Sequence, residues 1–112
     1  MDIPAILQSI RPGASWTLNG DDYAGLDWLD ASAKPTEDEL VAAWPAVESA
    51  RKWAAVRAER DRRLAAWDWT ALTDAPLNDL EKQIAADYRQ ALRDVPQDAA
   101  DPDAVVWPVE PA

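Results

Sequence analysis

The chain is 112 residues long, contains neither cysteine nor histidine, and carries a formal net charge of −10. This length suits one small core. The missing residue types exclude thiolate or imidazole zinc sites, disulfides, thiol nucleophiles and histidine-based triads. No cofactor or metal is expected, because the one acidic cluster, residues 98–103, lacks the glycine and final glutamate of a calcium loop.

Charge and hydropathy also bear on partners and location. No run of about 20 apolar residues is present, so no membrane-spanning helix is expected. Met1–Pro4 lacks the basic region of a secretory signal, and the chain is therefore expected in the cytoplasm. The net negative charge repels nucleic-acid phosphates. A basic patch over residues 51–70, which hold six bases and three acids, is the weaker alternative.

The first 35 residues are predicted to form a short helix followed by a β-hairpin. Apolar positions place a helix over residues 3–10, and the following Arg11-Pro12-Gly13 ends it. Residues 15–18 and 25–29 alternate in polarity around Asn19-Gly20, a strong hairpin signal. The apolar face of this hairpin would hold Trp16, Leu18, Leu26 and Trp28. Because an isolated hairpin is marginally stable, it must pack on a helix or on a partner.

A first long helix is predicted to begin after Thr36, which has Glu39 at the capping-box spacing. Pro45 lies inside the helical pattern, where it removes one backbone hydrogen bond and clashes with the preceding turn. The sequence therefore predicts either a kink near Trp44 or two helices, 36–44 and 46–67.

A second long helix shows the clearest amphipathic pattern in the chain. Asn78 and Glu81 predict its capped start, and it is expected to stop before Pro96. Its apolar stripe contains Leu77, Leu80, Ile84, Tyr88 and Leu92. The short connection between the two long helices predicts antiparallel packing.

Residues 97–112 are rich in Asp, Ala and Pro and are predicted to be extended. Whether this tail packs on its own body or on another subunit stays open. The predicted fold is mainly α with a small β-hairpin (α+β). Its three segments are an N-terminal module over 1–35, a helical hairpin over 36–96 and an extended tail over 97–112.

Four blocks of sequence carry a resemblance to a known family. They are Asp68-Trp69-Thr70, Asp74-Ala75-Pro76-Leu77, the run from Tyr88 to Pro96, and Val106-Trp107-Pro108-Val109-Glu110-Pro111. In this order and spacing they resemble the phage tail assembly chaperone family, over roughly residues 57–110. The resemblance implies a non-enzymatic protein of the host cytoplasm that helps to build a phage tail or its fibres by binding a tail or tail-fibre protein. A place in the virion and a homo-oligomer both stay open.

Six residues are candidate partner contacts: Trp69, Tyr88, Arg89, Arg93, Trp107 and Pro108. For the two aromatic residues of the helical region, a place in the core is the favoured alternative. Arg89 and Arg93 lie at i, i+4 and could clamp a carboxylate of a partner. An internal ion pair with Asp68, Asp74 or Asp94 is the favoured alternative for them.

Two other classes of function fit parts of the sequence. Size and charge suit an acidic inhibitor that mimics DNA, although such a mimic needs carboxylates spaced like phosphates, and here the acids are scattered around a basic segment. A structural virion component, held by the Trp107-Pro108 tail, would differ from a chaperone only in staying in the particle. The adjacent acids Asp21-Asp22 and Glu37-Asp38-Glu39 have no neighbouring nucleophile or metal ligand, so catalysis is not expected.

Overall fold

The computed structural model describes residues 1–112 and is mainly α with one antiparallel β-hairpin, which confirms the predicted fold class. The main elements are α1 (Ile3–Ile10), β1 (Trp16–Leu18), β2 (Leu26–Trp28), α2 (Glu37–Trp67) and α3 (Asp79–Asp98). Short 3-10 helices cover Tyr23–Gly25, Asp68–Ala71 and Pro102–Ala104.

The chain forms two compact units, Met1–Ala50 and Arg51–Ala112, where its length predicted a single core. Helix α2 accounts for the difference. It has 31 residues, and at 1.5 Å per residue it is about 46 Å long, more than one small core covers.

Helix α1 begins at a side-chain cap and buries one face. Asp2 Oδ1 accepts a hydrogen bond from the backbone N–H of Ala5 at 3.1 Å, and Pro4 occupies the first turn. Ile3, Ile6 and Leu7 are buried. The helix ends where predicted, with the Arg11 N–H bonded to the carbonyl of Leu7.

The β-hairpin has the predicted apolar face. Trp16 pairs with Trp28 and Leu18 with Leu26, so all four side chains lie on the side that packs into the core. The connection, residues 19–25, is one residue longer than the one between the predicted strands and includes the 3-10 helix Tyr23–Gly25.

The core of the first unit joins α1 and the hairpin to the start of α2. Leu26, Leu40 and Val47 pack with the buried face of α1. The hairpin therefore rests on helices, as the prediction for an isolated hairpin required. Thr36 Oγ1 accepts a hydrogen bond from the Glu39 N–H at 3.1 Å and so caps α2.

Helix α2 is continuous through Pro45, so the predicted division into helices 36–44 and 46–67 is wrong. Pro45 is exposed, while Leu40 and Val47 on either side of it are buried in the same core. Burial of both flanking turns offsets the cost of a proline inside a helix, about 3 kcal/mol.

Helix α3 in the second unit begins with a complete capping box. Asn78 Oδ1 accepts from the Glu81 N–H at 2.8 Å, and Glu81 Oε1 accepts from the Asn78 N–H at 3.1 Å. The buried positions of α3 are Ala85, Tyr88, Leu92 and Val95. The predicted stripe is right for Tyr88 and Leu92 and wrong for Leu80 and Ile84, which are exposed.

The predicted stop of α3 before Pro96 is also wrong, since the helix continues to Asp98. Pro96 lies in the last turn, where its missing N–H deprives only the Leu92 carbonyl of its helical partner. The next turn still closes, because the Ala99 N–H bonds to the Val95 carbonyl at 3.3 Å.

The C-terminal segment packs on its own unit, which is one of the two alternatives that the sequence left open. Lys52 Nζ lies 2.9 Å from Asp103 Oδ2, and Trp67 Nε1 donates to Glu110 Oε1 at 3.0 Å. Between these contacts, the Arg63 guanidinium lies over the Trp107 ring. The tail thus runs along α2 in the same direction. The prediction that residues 97–112 are extended is wrong for residues 97–98 and 102–104, which are helical, while Ala99, Asp101 and the residues from 105 onward lie outside any helix.

Candidate functional site

The second unit carries a groove at the connection between α2 and α3, which we call the tip groove. Its volume is about 290 Å³. Its lining includes Trp67, Trp69, Leu77, Ile84, Ala85 and Pro111. The tip groove is therefore built from the end of α2, the connecting segment, the start of α3 and the tail.

Large apolar side chains remain exposed in and beside the tip groove. The indole of Trp69 is 48% exposed, and Leu80 on α3 is 69% exposed. Leu72 and Ile84 are exposed as well. Leu80 and Ile84 lie at i, i+4 on one side of the start of α3, and Leu77 directly precedes its cap residue. Exposed apolar side chains concentrated in one short segment are typical of a protein interaction site.

Trp69 and Tyr88, both predicted as contact or core residues, differ in their surroundings. Tyr88 is only 6% exposed, and its ring packs edge-on against Trp67 with centroids 5.0 Å apart. Tyr88 is thus a core residue. Trp69 lies at the groove surface, where a partner can reach it.

Arg89 and Arg93 are not brought together as a two-armed clamp. Arg89 Nη1 donates to Thr70 Oγ1, and that hydroxyl donates to the Trp67 carbonyl at 2.6 Å. Arg93 is exposed and donates to Gln90 Oε1 at 3.3 Å. Neither arginine forms the internal ion pair that the sequence favoured. Arg89 instead ties α3 to the connecting segment and so helps to hold the tip groove in shape.

Trp107 and Pro108 are half-buried on their own unit. The Trp107 ring centroid lies 4.3 Å from the Arg63 guanidinium carbon. Both tail residues also line a second cavity, together with Ala91 and Val95 of α3. In this structure Trp107 and Pro108 therefore make intramolecular contacts.

Charges around the two ends of the unit differ. The connecting segment and first turn of α3, residues 68–81, contain four acids and no base. Further back on α2, Glu59 bonds to Arg62 and Arg63. Hydrogen bonds from Arg62 and then Arg63 lower the pKa of Glu59 to about 2. The basic segment of α2 is thus partly neutralised by its own acids.

Sequence reasoning missed the exposed apolar residues of the tip groove. It counted Leu80 and Ile84 as core because they continue the stripe from Leu77. The buried face could instead continue from Tyr88 to the residues three and seven positions earlier, Ala85 and Glu81. The structure buries Ala85. Because alanine is small, Ala85 was not recognised as part of the buried face.

The comparison with known protein families gives the class of this chain. The model of the phage tail assembly chaperone protein family matches residues 53–112. This match covers more than half of the chain, including the whole of α3, the tip groove and the tail. The chain therefore belongs to the phage tail assembly chaperone family, as the sequence blocks indicated. No curated protein and no solved structure matches it.

Family membership supports a role in phage tail assembly and implies a non-enzymatic one. None of the three α-helices combines the length and the apolar composition that a membrane crossing requires.

Proposed function

We propose that this chain assists phage tail assembly by binding a tail or tail-fibre protein before that protein is incorporated. The observation that carries the proposal is the exposed apolar surface at the tip groove, within the segment that matches the family. Trp69 and Leu80 would be direct contacts there.

The physical basis is the aggregation hazard of unassembled tail proteins. A subunit of an oligomeric tail exposes apolar surface and unpaired strand edges until its neighbours arrive. A partner that offers apolar side chains covers this surface, and a net charge of −10 keeps the complex soluble.

The six residues predicted as partner contacts take different parts in this proposal. Trp69 touches the partner directly, whereas Arg93 is exposed but does not line the tip groove. Tyr88 and Arg89 hold the groove in shape from within. Trp107 and Pro108 fix the tail that supplies the wall at Pro111.

Co-expression with the tail and tail-fibre proteins of the same phage tests the proposal. The chain should co-purify with at least one of them, and Leu80→Ala should weaken that complex. Leu29→Ala is the matched control, since Leu29 is 65% exposed but lies in the first unit. Equal effects of the two substitutions, or no co-purification at all, would count against the proposal.

Mass spectrometry of purified virions separates transient assistance from permanent incorporation. A chaperone should be abundant in the infected-cell lysate and absent from particles. A fixed ratio to a tail or fibre protein in the particle would make the chain a structural component of the virion.

A further inference from the structure

We infer that the tip groove receives an apolar side chain from a partner segment that carries lysine or arginine beside it. The inference rests on the proposed function and specifies the chemistry of the partner. It follows from the size of the groove, its apolar lining and the charges around it.

The size and lining of the groove suit an apolar side chain. Its volume of about 290 Å³ is similar to that of the smallest ligand pockets, about 300 Å³, and leaves ample room for one side chain. Trp67, Trp69 and Ile84 supply broad apolar surfaces, while Arg89 is already engaged by Thr70. One large apolar side chain would fit in such a groove and cover its exposed walls.

The charges beside the groove determine which residues of the partner can lie next to its apolar side chain. Asp68, Asp74, Asp79 and Glu81 are all exposed, and Glu81 lines the groove itself. Two bases lie near these four acids: Lys82, which is half-buried, and Arg89, which donates to Thr70 of the groove lining, so the acids remain in excess. A partner segment with basic residues therefore gains attraction at the rim, whereas an acidic one is repelled.

The same charges argue against a second copy of this chain as the occupant. Two copies that met through this surface would place eight acids, four from each, around one contact with no base from residues 68–81. Like charges juxtaposed at an interface disfavour the complex. The structure thus favours a basic partner over self-association.

A pair of matched triple variants tests the charge requirement. Asp68→Asn, Asp74→Asn and Glu81→Gln together neutralise the rim, and a glutamine at position 81 can still accept the capping-box hydrogen bond. Asp21→Asn, Asp22→Asn and Asp27→Asn remove the same charge from exposed positions of the first unit. None of these six acids forms an ion pair in the structure, so neither variant breaks one.

The measurement is the dissociation constant for the tail or tail-fibre protein that co-purifies with the chain. We expect the rim variant to bind about tenfold more weakly and the control variant to bind within about twofold of the unmodified chain. Raising sodium chloride from about 0.05 M to about 0.5 M should weaken the unmodified chain more than the rim variant.

Photo-crosslinking identifies the segment that occupies the groove. A photoreactive residue in place of Leu72 should capture a partner peptide that has an apolar residue next to lysine or arginine. The same residue in place of Leu29 should capture none.

The outcomes separate this inference from the proposed function. This inference alone is overturned if the unmodified chain and the rim variant bind the partner equally well. It is also overturned, by itself, if the partner crosslinks to position 29 instead of position 72. A dimer in sedimentation that Leu80→Ala abolishes also overturns it, because the occupant is then a second copy. A chain that binds no tail or tail-fibre protein overturns both.

Discussion

The guanidinium of Arg63 on α2 lies over the ring of Trp107 in the C-terminal tail, 4.3 Å from the ring centroid. This contact joins residues 44 positions apart in sequence and fixes the middle of the tail. Lys52 and Trp67 hold the tail on either side of it, through Asp103 and Glu110. The tail is therefore attached at three successive points and completes the tip groove at its far end.

Trp107→Ala should loosen this attachment. We expect the free energy of unfolding to fall by about 2 kcal/mol, from lost apolar burial and the lost cation–π contact. Urea denaturation followed by circular dichroism measures it. Val109→Ala is the control, because Val109 is fully exposed and its loss should change stability by less than about 0.5 kcal/mol. Equal stability of the two variants would show that the tail is not attached as described.

The Glu59 cluster predicts a pH dependence of stability. The folded pKa of Glu59 is lowered from 4.5 to about 2, with the hydrogen bond from Arg62 as the largest cause. A carboxylate with a lowered pKa stabilises the fold above its unfolded pKa, and that contribution is lost as pH falls from 4.5 toward about 2.

Thermal unfolding across this pH window tests the prediction with Glu59→Gln. The difference in Tm between the unmodified chain and this variant should be largest above pH 4.5 and shrink steadily toward about 2. Glu37→Gln is the comparison at an exposed acid that forms no ion pair. A difference for Glu59→Gln that stays constant with pH would contradict the proposed role of its arginine partners.

Asn78→Ala should destabilise the start of α3, because alanine lacks the side-chain oxygen that accepts from the Glu81 N–H, while the backbone N–H that donates to Glu81 remains. We expect a loss of about 1 kcal/mol in the free energy of unfolding. Asn78→Ser is the control, since serine also caps helices and should retain most of the stability. Chemical denaturation of the three proteins checks the order, and a serine variant as weak as the alanine variant would argue against capping.

Local sequence signals predicted the start of each helix and the pairing of the hairpin. Thr36 and Asn78 were predicted as caps and each caps its helix, because a capping side chain acts on backbone within three residues. The cross-strand partners Trp16 and Trp28 were likewise placed correctly, since alternation determines which face a strand buries.

The errors came from features that depend on distant residues. From local sequence alone, Pro45 and Pro96 are expected to end their helices. Helix α2 continues because residues on either side of Pro45 are buried, and α3 continues because Pro96 lies in its last turn. Leu80 and Ile84 were assigned to the core because nothing local distinguishes a buried apolar stripe from an exposed one. The tip groove could therefore be located only from the structure.

Gly25→Ala should disrupt the connection of the β-hairpin. A Cβ at position 25 would lie 1.9 Å from the backbone oxygen of Asn19, a residue whose N–H bonds to the Gly25 carbonyl. Relieving this clash requires a backbone shift, with an expected loss of about 1–3 kcal/mol. Ala24→Ser at the exposed neighbouring position is the control and should be nearly neutral. Stability unchanged by Gly25→Ala would mean that the connection has another conformation in solution.

Pro45→Ala should stabilise the chain, in contrast to the other substitutions. Alanine restores the N–H that can bond to the Val41 carbonyl and removes the ring that crowds it. We expect a net gain of about 2 kcal/mol, since alanine also makes the unfolded chain more flexible.

Pro12→Ala is the matched control, because Pro12 is exposed and lies outside any helix. At position 12 the substitution only makes the unfolded chain more flexible, so the free energy of unfolding should fall by about 0.4–1 kcal/mol. Urea denaturation of both variants decides between two explanations of the continuous helix. Opposite signs mean that α2 tolerates Pro45 at a cost that core burial of Leu40 and Val47 offsets. Equal signs would mean that Pro45 costs the helix nothing, and that the flanking burial is not what keeps α2 continuous.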